Sequence, residues 1–583
     1  MNLLHLVPAL GVLWWLGSSI STFARNYRSA RASGLPIIVC AFNPDNMLYL
    51  ILSVPLLPLL ERIVPKALFD PIEVTIYGWE FRDRRSVHER RGTAFMLATT
   101  SVNRLYVADA AMALGILARR NDFPQHHMAR DTMSIAGANV FSSDGDSWSR
   151  QRRIVAPSLN ERTSDRVWHE SVGQAADMAG FMLAQPLGQS RDVVNALKCI
   201  AINVLASVAY GQSKPWRVYE RPTDPAAAIS YTDAVGMTAD LMILSAFIST
   251  KLLRLPFMPK LLQTLGVAVD ELPRLTRDML DQERRRAASA SDAQDGPDTV
   301  MATLVRLSDE EKDGASRQKA GAGAGAGAGS GSRSGSGTKP FLTDDEISGN
   351  LFLFTAAGFD TTSYSLSYAL TLLAAYPEWQ VWVQAEIDEV FASLDHDTQR
   401  EYSVVFPKLS RCLAVMLETT RLYPPAMHII RDQPLTKPVV LAAHGTTYPI
   451  VGPCTVQITS ITLHADAAHW GGDALEFRPA RWLNADAATR GKAPLVTPAP
   501  GSFLGWSAGP RVCPGQKMSQ VEFVGVVSTL LRKCSVAPVV GAGETPQQAR
   551  DRLLEVLRDS QPELTLRMNR PTDIHLQWNR RRG

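Results

Sequence analysis

The chain opens on an almost unbroken apolar run over residues 3–20, without one charged side chain. At 1.5 Å per helical residue the run reaches about 27 Å, close to the roughly 30 Å hydrocarbon core of a bilayer. No Lys or Arg precedes it, as a cleaved signal peptide would require. Arg25, Arg28 and Arg31 follow it, and the positive-inside bias then leaves everything downstream in the cytosol. Residues 1–25 are therefore expected to be a retained, single-pass membrane anchor. A second apolar stretch, residues 47–60, is shorter and contains Pro55 and Pro58. It is expected to pack on the domain or dip into the bilayer surface, not to span it.

Beyond the anchor the period changes. Short β-like runs alternate with polar turns up to Asp122, and residues 95–99 and 104–107 read as strands. From Trp148 to Arg286 the helical period dominates, with turns near Pro222 and Pro256. A polar stretch from Ala287 leads into an Ala-Gly and Ser-Gly repeat over residues 320–337. Without large side chains such a segment cannot offset its ordering entropy, so about 287–340 is expected to be a flexible insert. Its alternating glycines lack the preceding strand and the spacing of a phosphate loop. Thr343 and Glu346 then form a capping box that opens a helix running to about Ala375, where Tyr376-Pro377 ends it. Its middle, Leu351-Phe352-Leu353-Phe354, is apolar on every side, so this helix of roughly 50 Å should cross the interior. Another helix ends at Pro424, short strands occupy residues 439–461, and a final helix follows Pro514. The fold class is mainly α with small β-sheets, one domain over residues 26–583.

Composition changes little in that picture. The 583 residues allow one large domain or two to three average ones. A net charge of +3 and no basic stripe among aromatics give no support to nucleic-acid binding. Cys40, Cys199, Cys412, Cys454, Cys513 and Cys534 are scattered without a C-x-x-C pair. That spacing suggests neither structural zinc nor a disulfide framework, and fits a reducing compartment.

Two segments carry chemistry. On the apolar helix stands Ala356-Ala357-Gly358-Phe359-Asp360-Thr361-Thr362. A mid-helix glycine costs about 1 kcal/mol against alanine, and an unpartnered buried carboxylate costs several more. Local rules are broken like this mainly at sites. The Thr361 hydroxyl can bond a carbonyl one turn back and leave a groove beside Gly358. The competing reading is a helix crossing, with Gly358 for close approach and Asp360 salt-bridged. The other segment is a Gly/Pro-rich loop, residues 503–515, that ends on Cys513 just before an apolar-periodic helix. There the helix dipole and free backbone N–H groups favour a thiolate. Gly509 and Gly515 let the backbone lie flat against something planar, and Arg511 offers a cation to an acidic ligand group.

The spacing W-x-x-G-x-R-x-C-x-G from Trp506 to Gly515 resembles the haem-binding loop of the cytochrome P-450 family. AGFDTT resembles that family's oxygen-groove helix. Glu418-Thr419-Thr420-Arg421 matches its E-x-x-R, the 477–482 segment matches the one whose arginine completes a Glu-Arg-Arg network, and Trp148 with Arg152 matches a haem-contacting W-x-x-x-R. Singly the E-x-x-R and W-x-x-x-R are weak signals; five motifs in order over residues 35–575 are not.

The resemblance implies haem b with Cys513 as axial thiolate, pushing electron density onto iron. Trp148, Arg152, Arg431 and Arg511 are implied to bond the haem carboxylates. Asp360 and Thr361 become an acid–alcohol pair that relays protons. Glu418, Arg421 and Arg481 form a buried network, which Ala480, standing where the family often has Glu, would leave one member short. The implied activity is monooxygenation of a small lipophilic substrate, of fungal secondary-metabolite or lipid type. With no flavin or nicotinamide fingerprint in the sequence, electrons are expected from an external NADPH-dependent reductase at the endoplasmic reticulum. A haem-thiolate isomerase or dehydratase, or a haem carrier or sensor, would not need the acid–alcohol pair. His464 and His469 around Asp466 suit a structural turn better than a metal site. Phe352, Phe354 and Phe359 hint at an apolar pocket lined also by segments 122–140, 232–260 and 425–430.

Overall fold

A computed structural model describes residues 3–289, 299–323, 341–484 and 495–581. The long helix forms as its capping box dictates, over Asp344–Ala375. The Thr343 hydroxyl accepts from Glu346 N at 3.2 Å, and Glu346 Oε2 accepts from Thr343 N at 2.9 Å. Its body is buried from Ser363 through Ala375, and it packs against helices Val193–Tyr210, Ser410–Leu422 and Gln516–Lys533. An all-round apolar sequence has nowhere to go but the interior.

Beside this helical core lies a sheet of five short strands. In spatial order they are Ile37–Val39, Ala94–Ala98, Asn103–Val107, Cys454–Ile458 and Ile429–Gln433. The expected strand pair is the central hairpin, Phe95 facing Tyr106 and Met96 facing Leu105. Asn103–Val107 then pairs in parallel with Cys454–Ile458, a union across some 350 residues that no local pattern reveals. Strands Val439–Ala443 and Thr446–Ile450 form a separate hairpin. Past the expected last helix, Gln516–Lys533, comes a further helix, Pro546–Arg558. Strands Ser560–Pro562 and Leu566–Met568 follow it, and the turn between them reaches the site.

The N-terminal run is helical over Leu3–Ala32, so the expected boundary at residue 25 falls inside one continuous helix. Leu13, Trp14, Trp15 and Ile20 are exposed on it, whereas Asn26 and Ala30 are buried. The Asn26 amide donates to Thr99 O at 3.0 Å and Ser101 O at 2.8 Å, which docks the helix end on the sheet. Among the described residues the helix long and apolar enough to cross a membrane is Val193–Tyr210, 94% buried in the core. The second apolar stretch forms helix Met47–Ile63, with Leu48, Ile51, Leu52, Leu56, Leu59 and Ile63 exposed.

The expected insert needs a correction. Residues 300–323 lie inside it, yet they form a helix, Val300–Gly323. Val300, Met301, Leu304 and Val305 are buried in the main core, and the Ser308 hydroxyl donates to Leu342 O at 2.6 Å. These apolar residues recur at helical spacing ahead of the repeat, and their burial offsets the ordering entropy that the repeat cannot. The repeat from residue 324 onward, like residues 290–298, lies outside the described residues.

Candidate active site

A cavity of about 920 Å³ lies between the long helix, the sheet and the cysteine loop. Cys513 lines it, and of the six cysteines only this one is not buried. Cys513 N donates to Trp506 O at 2.9 Å, closing the loop, and the helix Gln516–Lys533 starts three residues later. Although Cys513 reaches the open cavity, the protein atoms packed around its sulfur desolvate the thiol and push it up, against the Gly515 N–H and the Arg152 charge, which pull it down. The helix end alone therefore does not secure the thiolate. A cation bonded to sulfur would, since a coordinated thiol is deprotonated outright. Gly515 lines the cavity, and a Cβ there would stand 3.8 Å from the sulfur.

Gly509 has another role than expected. Its φ is +70°, and a Cβ would lie 2.6 Å from Leu117 O. It lets the loop turn against the helix Ala110–Ala118 and does not line the cavity.

Trp148, Arg152, Arg431 and Arg511 all reach the cavity wall. The Arg511 guanidinium lies 5.0 Å from the Trp148 ring and donates through Nη2 to Ser143 O at 2.8 Å. Its Nε and Nη1 are buried with no acceptor. Arg431, 6% exposed, is brought down to about 10 by burial, with Arg511 adding repulsion. Asp144 pairs with Arg511 Nη2 at 2.5 Å, which leaves Arg511 Nε and Nη1 without an acceptor, and buried donors without acceptors are costly. A planar group with two carboxylates would supply the missing acceptors, so these residues fit haem b.

Behind the loop stands the Glu-Arg-Arg network. Glu418 and Arg421 are both fully buried and doubly bonded, at 2.8 Å each. Arg481 Nε donates to Glu418 Oε1 at 2.9 Å, and Trp482 Nε1 to Oε2 at 2.9 Å. Ala480 leaves no gap, because Asp473 pairs with Arg481 at 3.2 Å. His464 links this network to the loop: its Nδ1 lies 3.2 Å from Arg421 O, and its Nε2 accepts from Leu504 N at 2.8 Å. Burial and the Arg421 charge bring it down to about 3, so it stays a neutral strut. His469 instead lies 4.0 Å from Asp466.

The acid and the alcohol of the long helix part company. Thr361 faces the cavity and its hydroxyl donates to Ala357 O at 2.8 Å, the one-turn-back bond expected. Asp360 is fully buried and does not line the cavity. It pairs with Arg567 at 2.8 Å and accepts from the Thr565 hydroxyl at 2.5 Å. The salt-bridged reading of Asp360 is the one observed, and a free carboxylate beside Thr361 is not. Gly358 meets both readings: it lines the cavity, and a Cβ there would lie 3.0 Å from Leu205. Phe354 lines the cavity, while Phe352 and Phe359 are plain core.

Sequence reasoning missed several residues. Glu80, 1% exposed, meets His428 at 3.5 Å in the cavity wall. Thr565 and Leu564 enter from the C-terminal turn. Glu522 lies on the cysteine helix and also lines the cavity, with Oε1 unpartnered. Its place, nine residues past Cys513 on an apolar helix face, was the available signal.

Burial alone pushes Glu522 up to about 8 from an ordinary value of 4.5. A carboxyl raised on folding contributes stability that is complete below pH 4.5 and lost as pH rises through about 8. Glu522→Gln should therefore stabilise the protein progressively across that window, reaching on the order of 4 kcal/mol. Denaturant midpoints at low and high pH check this. An equal gain at both would show that Glu522 is not held protonated.

A profile of the cytochrome P450 family matches residues 79–564. The chain is similar to a phomenoic acid biosynthesis cluster cytochrome P450 monooxygenase of Leptosphaeria maculans, 29% identical over 89% of this chain and 90% of that one. It is also similar to cytochrome P450 monooxygenases of Arthrobotrys oligospora, 24% identical over 93% of each chain, and Penicillium rubens, 24% identical over 88% of each. With a cysteine loop and a cavity of this kind, the chain belongs to the cytochrome P450 family. It is an enzyme of the P450 monooxygenase class, whose cofactor is haem b on a cysteine thiolate.

Proposed function

We propose that this enzyme inserts one atom of O₂ into a small lipophilic molecule of the secondary-metabolite or lipid kind. One observation carries the reading: the Cys513 sulfur and Thr361 share one cavity, walled largely by apolar side chains. Haem b bound through Cys513 supplies the oxygen and electron chemistry. Trp148, Arg152, Arg431 and Arg511 hold its carboxylates, and Glu418, Arg421, Arg481 and His464 keep the cysteine loop in place.

Thr361 presents its Oγ1 to the reaction space while its proton is held on Ala357 O, one turn back. Asp360 acts at one remove, through Thr565, which reaches both the carboxylate and the cavity. Arg567 joins Asp360 to Glu563, 42% exposed at its side chain, and fixes the Asp360 carboxylate against Thr565. Val54, Leu205, Met242, Phe354 and Ile430 line the space left for substrate and exclude water from it. The biosynthesis-cluster name of one relative supports a secondary-metabolite substrate. The apolar run at residues 3–20 and the exposed apolar face of Met47–Ile63 support a membrane anchor and a lipophilic substrate. The arginines after the run favour a cytosol-facing domain at the endoplasmic reticulum, served by an external NADPH-dependent reductase.

Thr361→Ala tests the assignment. Haem content and the reduced carbon-monoxide spectrum should match the parent, since the side chain holds neither iron nor carboxylate. Product per NADPH should fall about tenfold or more while peroxide accumulates, with a substrate identified by its product in the parent. Normal coupling in this variant would remove Thr361 from the proton route.

A further inference from the structure

On strand Ile429–Gln433, Arg431 is buried and lines the cavity, whereas the half-buried Asp432 does not line it. Asp432 meets two consecutive imidazoles. His127 Nδ1 lies 3.0 Å from one carboxylate oxygen, and His126 Nε2 lies 3.7 Å from the other. One donor atom from each of the three residues falls within 4.8 Å of the rest.

The backbone that carries these groups is already tied together. Asp432 N donates to Pro124 O at 3.1 Å, Gln125 and Arg431 form an antiparallel bridge, and His127 N donates to Asp432 Oδ2 at 2.9 Å. The neighbouring cations are engaged elsewhere: Arg130 lies 3.6 Å from Asp144, and Arg431 donates to Ile430 O and to Gln125. Two imidazoles and a carboxylate are the donor set of an open tetrahedral zinc site, which leaves a fourth position for water. Metal bonds of about 2.0–2.2 Å require the donors to close up slightly. The His127 side chain, 57% exposed at a helix start, has room to do so.

We propose that His126, His127 and Asp432 bind a divalent cation of the zinc type. His126 also lines the cavity, so a bound cation would fasten the cavity-wall segment 125–133 to the sheet. The two histidines are adjacent in sequence, but the carboxylate is some 300 residues away, so spacing gave no hint of the site.

The test uses the full-length, haem-loaded enzyme dialysed against buffered Zn²⁺, with bound metal measured by mass spectrometry. One zinc per chain is expected in the parent. His127→Ala and Asp432→Asn should each weaken binding at least about tenfold, whereas His396→Ala, an exposed histidine elsewhere, should not. The exposure of His127 makes its removal safe for the fold, and an unchanged carbon-monoxide spectrum confirms that haem is retained. No zinc uptake by the parent, as when a haem carboxylate already claims the imidazoles, overturns the proposal. Equal affinity in His127→Ala and the parent does so as well.

Discussion

Replacing Cys513 by serine is expected to lower turnover by at least about a thousandfold, the scale seen when a group central to catalysis is removed. The substitution is nearly isosteric, so folding is not what it tests. A hydroxyl oxygen is a harder and far less acidic donor than a thiol, and iron–thiolate chemistry depends on that difference. No other cysteine can substitute, because Cys40, Cys199, Cys412, Cys454 and Cys534 are all buried away from the cavity. The reduced, carbon-monoxide-treated parent should give a thiolate-type spectrum and the variant should not. A variant that keeps full turnover, or a parent with an imidazole-type spectrum, would overturn the site.

Arg421→Ala is expected to cost about 3–5 kcal/mol, since it strands a buried carboxylate. Arg421 also donates to His464 O at 2.6 Å and to Glu476 O at 3.2 Å, so backbone carbonyls lose partners too. Domains are stable by about 5–15 kcal/mol, so such a loss should sharply reduce the yield of haem-loaded protein. Arg421→Lys should not restore it, because a point charge cannot bond both Glu418 oxygens and the carbonyls together. Arg478→Ala is the control. Its side chain is 56% exposed and pairs with Asp473 at the surface, so its loss should cost about 0–1 kcal/mol. Denaturant unfolding with haem content as a second readout compares the three. A mild Arg421→Ala would mean that the network does not hold the cysteine loop.

Local order was legible where a residue's role depends on its chain neighbours. The capping box at Thr343 and the apolar run after it dictated the long helix, because caps and periodicity act within a few residues. Cys513 was legible because its loop carries glycines, a proline and an arginine at close spacing. Roles that depend on distant contacts were not. Whether Asp360 is a proton-relaying acid or a salt-bridged one stayed open until Arg567, some 200 residues later, came to lie against it. Gly509 looked like a bed for a planar ligand until Leu117 O was found beside the place a Cβ would take. Asp473 filled the place left by Ala480 without any motif to announce it.

The sequence by itself determined the apolar N-terminal run, the long buried helix and the cysteine loop. Each follows from short-range patterning or from one costly residue in an apolar setting. Only the tertiary structure decided that Thr361 faces the cavity while Asp360 turns away, and that His464 braces the loop. It alone set His126, His127 and Asp432 around one point. The reason is physical: hydrogen bonds and ion pairs act over a few ångströms of space, and the fold chooses which distant residues share them.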